Sequence, residues 1–331
     1  MTQRISPLAL CLCGIIVTSN TYASCGSTAC AINTNWDEHS ASKPGLSMDL
    51  RYSYSQADQL RSGSSKIAAD TTFAGEVENL RTLNKIVAAG IDYTHDAHWG
   101  LALSIPYVAR EHSHNLGPYT GAAPAGNESF TANALGDIKL VGRYRWALND
   151  AEHTGVGIKF GLKLNTGRQD FQMVDNLGAS KLPGEVTLQP GNGSTDLIAG
   201  VFWQQANPGS ALSWFAQGMA QSAIKNKTEF KPGNQFNLDG GMRYAVNNSL
   251  SGLLQLNAQW NDADSGISAA LTASGTPSSG GKSYSLTPGL SYTIVPGTNV
   301  YGLVQLPLYQ YVNGEQLTAS NSVTAGINHR F

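Results

Sequence analysis

Charge is sparse in this 331-residue chain: 21 Lys and Arg stand against 23 Asp and Glu, a net charge of -2, and charged residues make up 13% of the whole. That balance excludes a polyanion-binding surface, so no nucleic-acid partner is expected. Long apolar runs are missing too. After residue 23, nothing approaches the roughly 18 consecutive apolar residues of a membrane helix, and a helical membrane protein is excluded. No GxxxxGK[ST], HExxH or GxSxG occurs, and Gly155-Val156-Gly157-Ile158 lacks the third glycine of a dinucleotide fingerprint. The reading is therefore of a non-enzyme without a cofactor.

Cysteine is scarce as well. Of four, Cys11 and Cys13 fall within residues 1–23. This stretch reads as a secretory signal, with Arg4 as its charged start, Leu8 to Val17 as its apolar centre and Thr21-Tyr22-Ala23 as a small-x-small cleavage site. Cys25 and Cys30 then stand in a periplasmic segment, 24–44. A local disulfide suits an oxidising compartment. Lipidation of Cys25 would put Tyr22 where an aliphatic residue is expected, and two thiolates fall short of a four-ligand metal site.

What the chain has is alternation. In Trp99–Tyr107 the apolar set Trp99, Leu101, Leu103, Ile105 and Tyr107 shares one face, and Val323, Ala325, Ile327 and Phe331 do the same near the C-terminus. A mean hydropathy of -0.20 is compatible with a membrane protein, because a barrel shows lipid only every second residue. About twelve such strands are expected: 46–54, 84–94, 99–110, 138–148, 155–165, 196–205, 212–223, 237–246, 250–260, 283–294, 299–311 and 317–331. Short turns such as His95-Asp96-Ala97-His98 alternate with the connections 55–83, 111–137, 166–195, 224–236, 261–282 and 312–316. The fold class expected is an all-β, antiparallel up-and-down transmembrane barrel over 45–331, with short periplasmic turns and long external loops in the outer membrane. A soluble barrel would turn its apolar face inward. Tyr93, Trp99, Tyr107, Trp146, Trp203, Trp214, Trp260 and Tyr284 near strand ends fit interfacial girdles, and Pro106, Pro288 and Pro307 predict bulges. A terminal strand ending on Phe331 suits the barrel-assembly machinery as a partner, besides the lipid bilayer.

The complementary face must line the lumen. Arg51, Arg110, Lys139, Arg143, Arg145, Lys159, Lys163 and Arg243 fall there, with Asp49, Asp92, Asp137, Asp196 and Asp239: eight basic against five acidic residues. Paired, these charges would rigidify the interior. Unpaired, the basic wall of the third to fifth strands would favour a carboxylate-bearing solute. Inward Val108, Val141, Phe202, Phe215 and Leu253 either pack under an inward-folded loop or line a partly apolar path. His112 and His114 share one face of an extended segment, where they could hold a metal or be solvated loop residues. No metal site is expected.

Three motifs stand together in the middle of the chain: Leu135-Gly136-Asp137-Ile138 leading to Arg143-Tyr144-Arg145-Trp146, then Gly161–Gly167, then Gly191-Asn192-Gly193-Ser194-Thr195-Asp196. Over residues 80–331 they resemble the outer-membrane "MetA-pathway of phenol degradation" family, with Asn165 where that family has Pro. The resemblance implies a small outer-membrane barrel that passes aromatic or other hydrophobic compounds. The expectation is a passive channel for a small organic solute, aromatic or carboxylated. The alternative is a barrel scaffold that meets a periplasmic redox or assembly protein through Cys25 and Cys30. The motif glycines read as rim geometry.

Overall fold

The computed structural model describes residues 44–68, 78–116, 126–149, 153–175, 181–206, 209–266 and 278–331; Cys25, Cys30 and the signal-like segment lie outside them. All regular structure among the described residues is β. The wall is formed by β1 (Gly45–Gly63), β3 (Glu78–Thr94), β4 (Trp99–Leu116), β6 (Lys139–Asn149), β7 (Thr154–Lys163), β10 (Ser194–Gln205), β11 (Leu212–Asn226), β12 (Gln235–Ala245), β13 (Leu250–Asn261), β14 (Gly281–Val295) and β15 (Thr298–Arg330). Four smaller pieces extend one rim: β2 (Ser65–Lys66), β5 (Gly126–Leu135), β8 (Gln172–Asp175) and β9 (Lys181–Pro183). Each wall strand pairs antiparallel with the next, and β15 pairs with both β14 and β1, which closes the barrel.

β15 spans 33 residues, far beyond the 9–11 that a membrane crossing needs. It is a hairpin. Its first limb pairs with β14 as far as Val312, its second with β1, and Gly314 takes a φ of 56° between them. Thr298 Oγ1 meets His329 Nδ1 at 2.7 Å, and Gln310 Nε2 donates to the Ala319 carbonyl at 3.0 Å across the limbs. Counted this way, eleven wall segments make twelve passes, in agreement with the sequence reading.

Burial follows the predicted alternation. Leu50, Leu101, Ile158, Leu256 and Ile327 are exposed, while Asp49, Asn84, Arg110, Lys159, Gln255 and Thr324 are buried. Large apolar side chains outside and polar ones inside are the reverse of a soluble fold, and place lipid against the outer wall. Two aromatic belts form there. Trp99 and Trp146 each lie 4.7 Å from Tyr144 beside the short turns, and Phe236, Trp260, Tyr284 and Tyr309 follow one another at 5.5–5.8 Å near the other rim. The short turns are locally determined. In the β3–β4 turn, Asp96 Oδ1 accepts the N–H groups of His98 and Trp99 at 2.8 and 2.7 Å, and Asn247 does the same for Ser249 and Leu250.

Several expectations need correction. The segments 55–63 and 111–116, expected as loop, continue β1 and β4, so these strands rise beyond the membrane on polar residues that carry no apolar alternation. His112 is therefore not a solvated loop residue: it sits inside β4, buried, with Nδ1 2.7 Å from Thr82 Oγ1. Of the three strand prolines, Pro307 sits at a register shift, whereas Pro288 interrupts the β14–β15 ladder without one. Pro106 marks the point where β4 changes its neighbour from β6 to β5.

Candidate functional site

Of the charged residues expected in the lumen, Asp49, Asp92, Arg110, Arg143, Arg145, Lys159, Lys163, Asp196 and Asp239 are buried in the barrel. Their pairing divides them into three groups. Asp49 accepts from Arg51 Nη1 at 3.2 Å and from Tyr301 Oη at 2.7 Å, and Arg243 Nε donates to Ser251 Oγ at 3.1 Å. Arg143 holds Asp92 with two guanidinium nitrogens, Nη2 at 2.8 Å from Oδ1, and also reaches Thr94.

The second group is a clamp built from the three sequence motifs. Lys163 Nζ meets Asp137 Oδ2 at 3.0 Å, Asp196 Oδ2 at 3.5 Å, Asn192 Oδ1 at 2.5 Å and the Ser194 carbonyl at 2.9 Å. Asp137 in turn accepts the N–H groups of Thr166, Gly167 and Asn192. The clamp closes the loop between β7 and β10 at its base and folds it inward over the lumen. Leu188 of that loop is fully buried with Phe130, Ala132 and Met173.

The third group consists of Arg110, Lys139, Arg145 and Lys159. Arg110 donates to Asn84 Oδ1 at 2.6 Å and to the Thr187 carbonyl of the inward loop at 2.9 Å; Lys139 donates to Gln221 Oε1 at 3.0 Å. Neither has a carboxylate within ion-pair distance among the described residues, and the same holds for Arg145. Lys159 donates to Gln217 Oε1 at 3.2 Å and stands 5.5 Å from the centre of the Phe202 ring. From Gln217 a chain of hydrogen bonds crosses the wall: Gln217 Nε2 to Asp239 at 2.9 Å, Asn257 Nδ2 to Asp239 at 2.6 Å, and Thr287 Oγ1 to Asn257 at 2.8 Å. Asp239 thus accepts hydrogen bonds from two amides.

These side chains border two unequal spaces. A vestibule of about 410 Å³ opens toward the long-loop rim, the size of a small-molecule site. Arg110, Lys139 and Lys163 line one side of it, above an apolar strip of Ile86, Pro106 and Val108 and beneath Pro190 of the inward loop. Across the barrel it is lined by amides and hydroxyls of β13 to β15, with Asp262, Asp264 and Lys282 at the rim. At the short-turn end a second, separate space of about 10 Å³ lies between Arg143, Arg145, Lys159, Phe202 and Gln204. Sequence alternation found the basic residues but not the inward amides, Gln189, Gln255 and Gln305, because glutamine carries no periodic apolar signal and is common on any polar face.

No family model matches the sequence, and no curated protein matches it. Among solved structures, the chain is similar to the COG4313 outer membrane channel from Pseudomonas putida F1: 12% identity, a TM-score of 0.63, and coverage of 87% of this chain and 96% of that one. The translocator domain of the autotransporter NalP from Neisseria meningitidis aligns over 89% of this chain and 91% of its own at 11% identity, with a TM-score of 0.47. At such identities the first likeness speaks for the fold alone: this chain has the fold of an outer-membrane β-barrel.

Proposed function

We propose that the protein is a passive outer-membrane channel for small organic anions, in particular carboxylates with an apolar body. The observation that carries this reading is Arg110 and Lys139, two cations without a carboxylate at ion-pair distance among the described residues, beside the apolar strip of Ile86, Pro106 and Val108 in one vestibule. Buried charge without a partner is costly unless a ligand or water supplies one, and a carboxylate would satisfy both residues while its body rests on the strip. The barrel has too few strands for a wide water-filled pore, so side chains and the inward loop set the passage.

Reconstitution in planar bilayers and liposomes tests the reading. Uptake of benzoate and an anion-leaning reversal potential are expected, and replacing both Arg110 and Lys139 with Gln should weaken both while neutral solutes pass as before. Electrical silence together with no uptake of any organic acid would reject it.

A further inference from the structure

At the short-turn end, two arginines of β6 lie flat over two glycines of the neighbouring strands. A Cβ on Gly100 would fall 2.3 Å from Arg143 Cζ, and one on Gly155 would fall 2.5 Å from Arg145 Nε. The bare glycines let both guanidinium groups press against the wall, where they are 6% and 7% exposed. Their electrostatic positions differ. Arg143 is neutralised by Asp92, whereas the Arg145 side chain has no hydrogen-bond or ion-pair partner among the described residues, and its Nε is fully enclosed. Asp96 borders the same space, but its Oδ1 is held by the backbone N–H groups of His98 and Trp99.

The space beside Arg145 measures about 10 Å³, room for one water or one carboxylate oxygen. Its walls supply Lys159 and the edge of Phe202. A guanidinium more than nine-tenths buried with an open donor, on a cradle that a single methyl would fill, is a built anion site and not a solvated surface charge.

We infer that Arg145 forms a second anion subsite at the periplasmic mouth, in series with the Arg110–Lys139 site of the vestibule, which receives the carboxylate as the solute leaves. This rests on the channel reading above. Two cationic stations let an anion be taken up without being trapped, since each station competes for it with the other.

The test uses the full chain in planar bilayers, with potassium benzoate and potassium chloride as probes. Arg145→Gln should lower the benzoate-to-potassium permeability ratio several-fold, Arg145→Lys should retain most of it, and block by benzoate added at the long-loop side should stay unchanged. Gly155→Ala keeps every charge but displaces the guanidinium, and should behave like Arg145→Gln. An unchanged ratio in Arg145→Gln, with the folded band intact on unheated gels, overturns the subsite and leaves the channel reading standing. Should Arg145→Gln fail to fold, an unchanged ratio in Gly155→Ala overturns it instead. A wild-type protein that passes no benzoate removes the channel reading and the subsite with it.

Discussion

Gly167 and Gly191 cross so closely that a Cβ on Gly167 would lie 2.6 Å from Gly191 Cα, with the carbonyl oxygen of Gly167 equally near a Cβ on Gly191. The two glycines belong to separate motifs. Their crossing lets Asp137 accept backbone N–H groups from both segments at once, and this seats the inward loop.

Gly191→Ala should therefore loosen that loop, since overpacking a close backbone contact costs roughly 1–3 kcal/mol. Limited proteolysis checks it: new cleavage between residues 168 and 190 is expected while the barrel stays intact. Asp137→Asn should act in the same direction, with about 1.5–3 kcal/mol at stake in its charged hydrogen bonds. Cleavage patterns identical to wild type in both variants would mean that the clamp does not hold the loop.

Arg143 and Asp92 behave as structure. Removing one partner of a buried pair costs on the order of 3 kcal/mol, so Arg143→Gln should melt the barrel at lower temperature on heat-modifiability gels. Ion selectivity should change little. A large selectivity change at unaltered heat resistance would assign Arg143 to the permeation path instead.

The outward register has its own test. Leu256 and Ile158 are exposed to lipid, and Arg at either should cost ~2–4 kcal/mol near the bilayer midplane. Gln255, next in sequence and enclosed with both amide atoms unpartnered among the described residues, should accept Leu with little penalty. Equal costs at Gln255 and Leu256 in folding titrations would contradict the register.

At the long-loop rim, burial raises the Asp264 carboxyl to about 6, against the lowering effect of the Gly233 N–H and Ser279. The folded state then holds this proton more tightly than the unfolded state does, so the loop is most stable below the unfolded value, near 3.8, and loses stability as pH rises through about 6. The loss is at most about 3 kcal/mol. Protection of the Gly233 amide, its exchange rate taken relative to the intrinsic rate at each pH, should fall between pH 4.5 and 7.5 in the wild type. Asp264→Asn, which keeps an acceptor for the Gly233 N–H, should flatten that dependence, and a flat wild-type profile would dismiss it.

The sequence by itself determined the two faces of the wall. Leu101, Ile158 and Leu256 alternate with Arg110, Lys159 and Gln255 because side chains on a strand take opposite sides at every step, and the lipid requirement makes that period visible. Turns such as His95–His98 were legible for a similar local reason, an aspartate within reach of its own following N–H groups. Charge pairing was not legible. Arg143 and Arg145 occupy equivalent places in the pattern, yet one faces Asp92 on β3 and the other meets no carboxylate among the described residues, which depends on how neighbouring strands are staggered. Nor could spacing show that Asp137, Gly167 and Asn192 meet, since contacts across the barrel rim bring together segments that no local period links. Which charges meet a counter-charge was settled by the closed tertiary structure, because only there do residues far apart in sequence become neighbours.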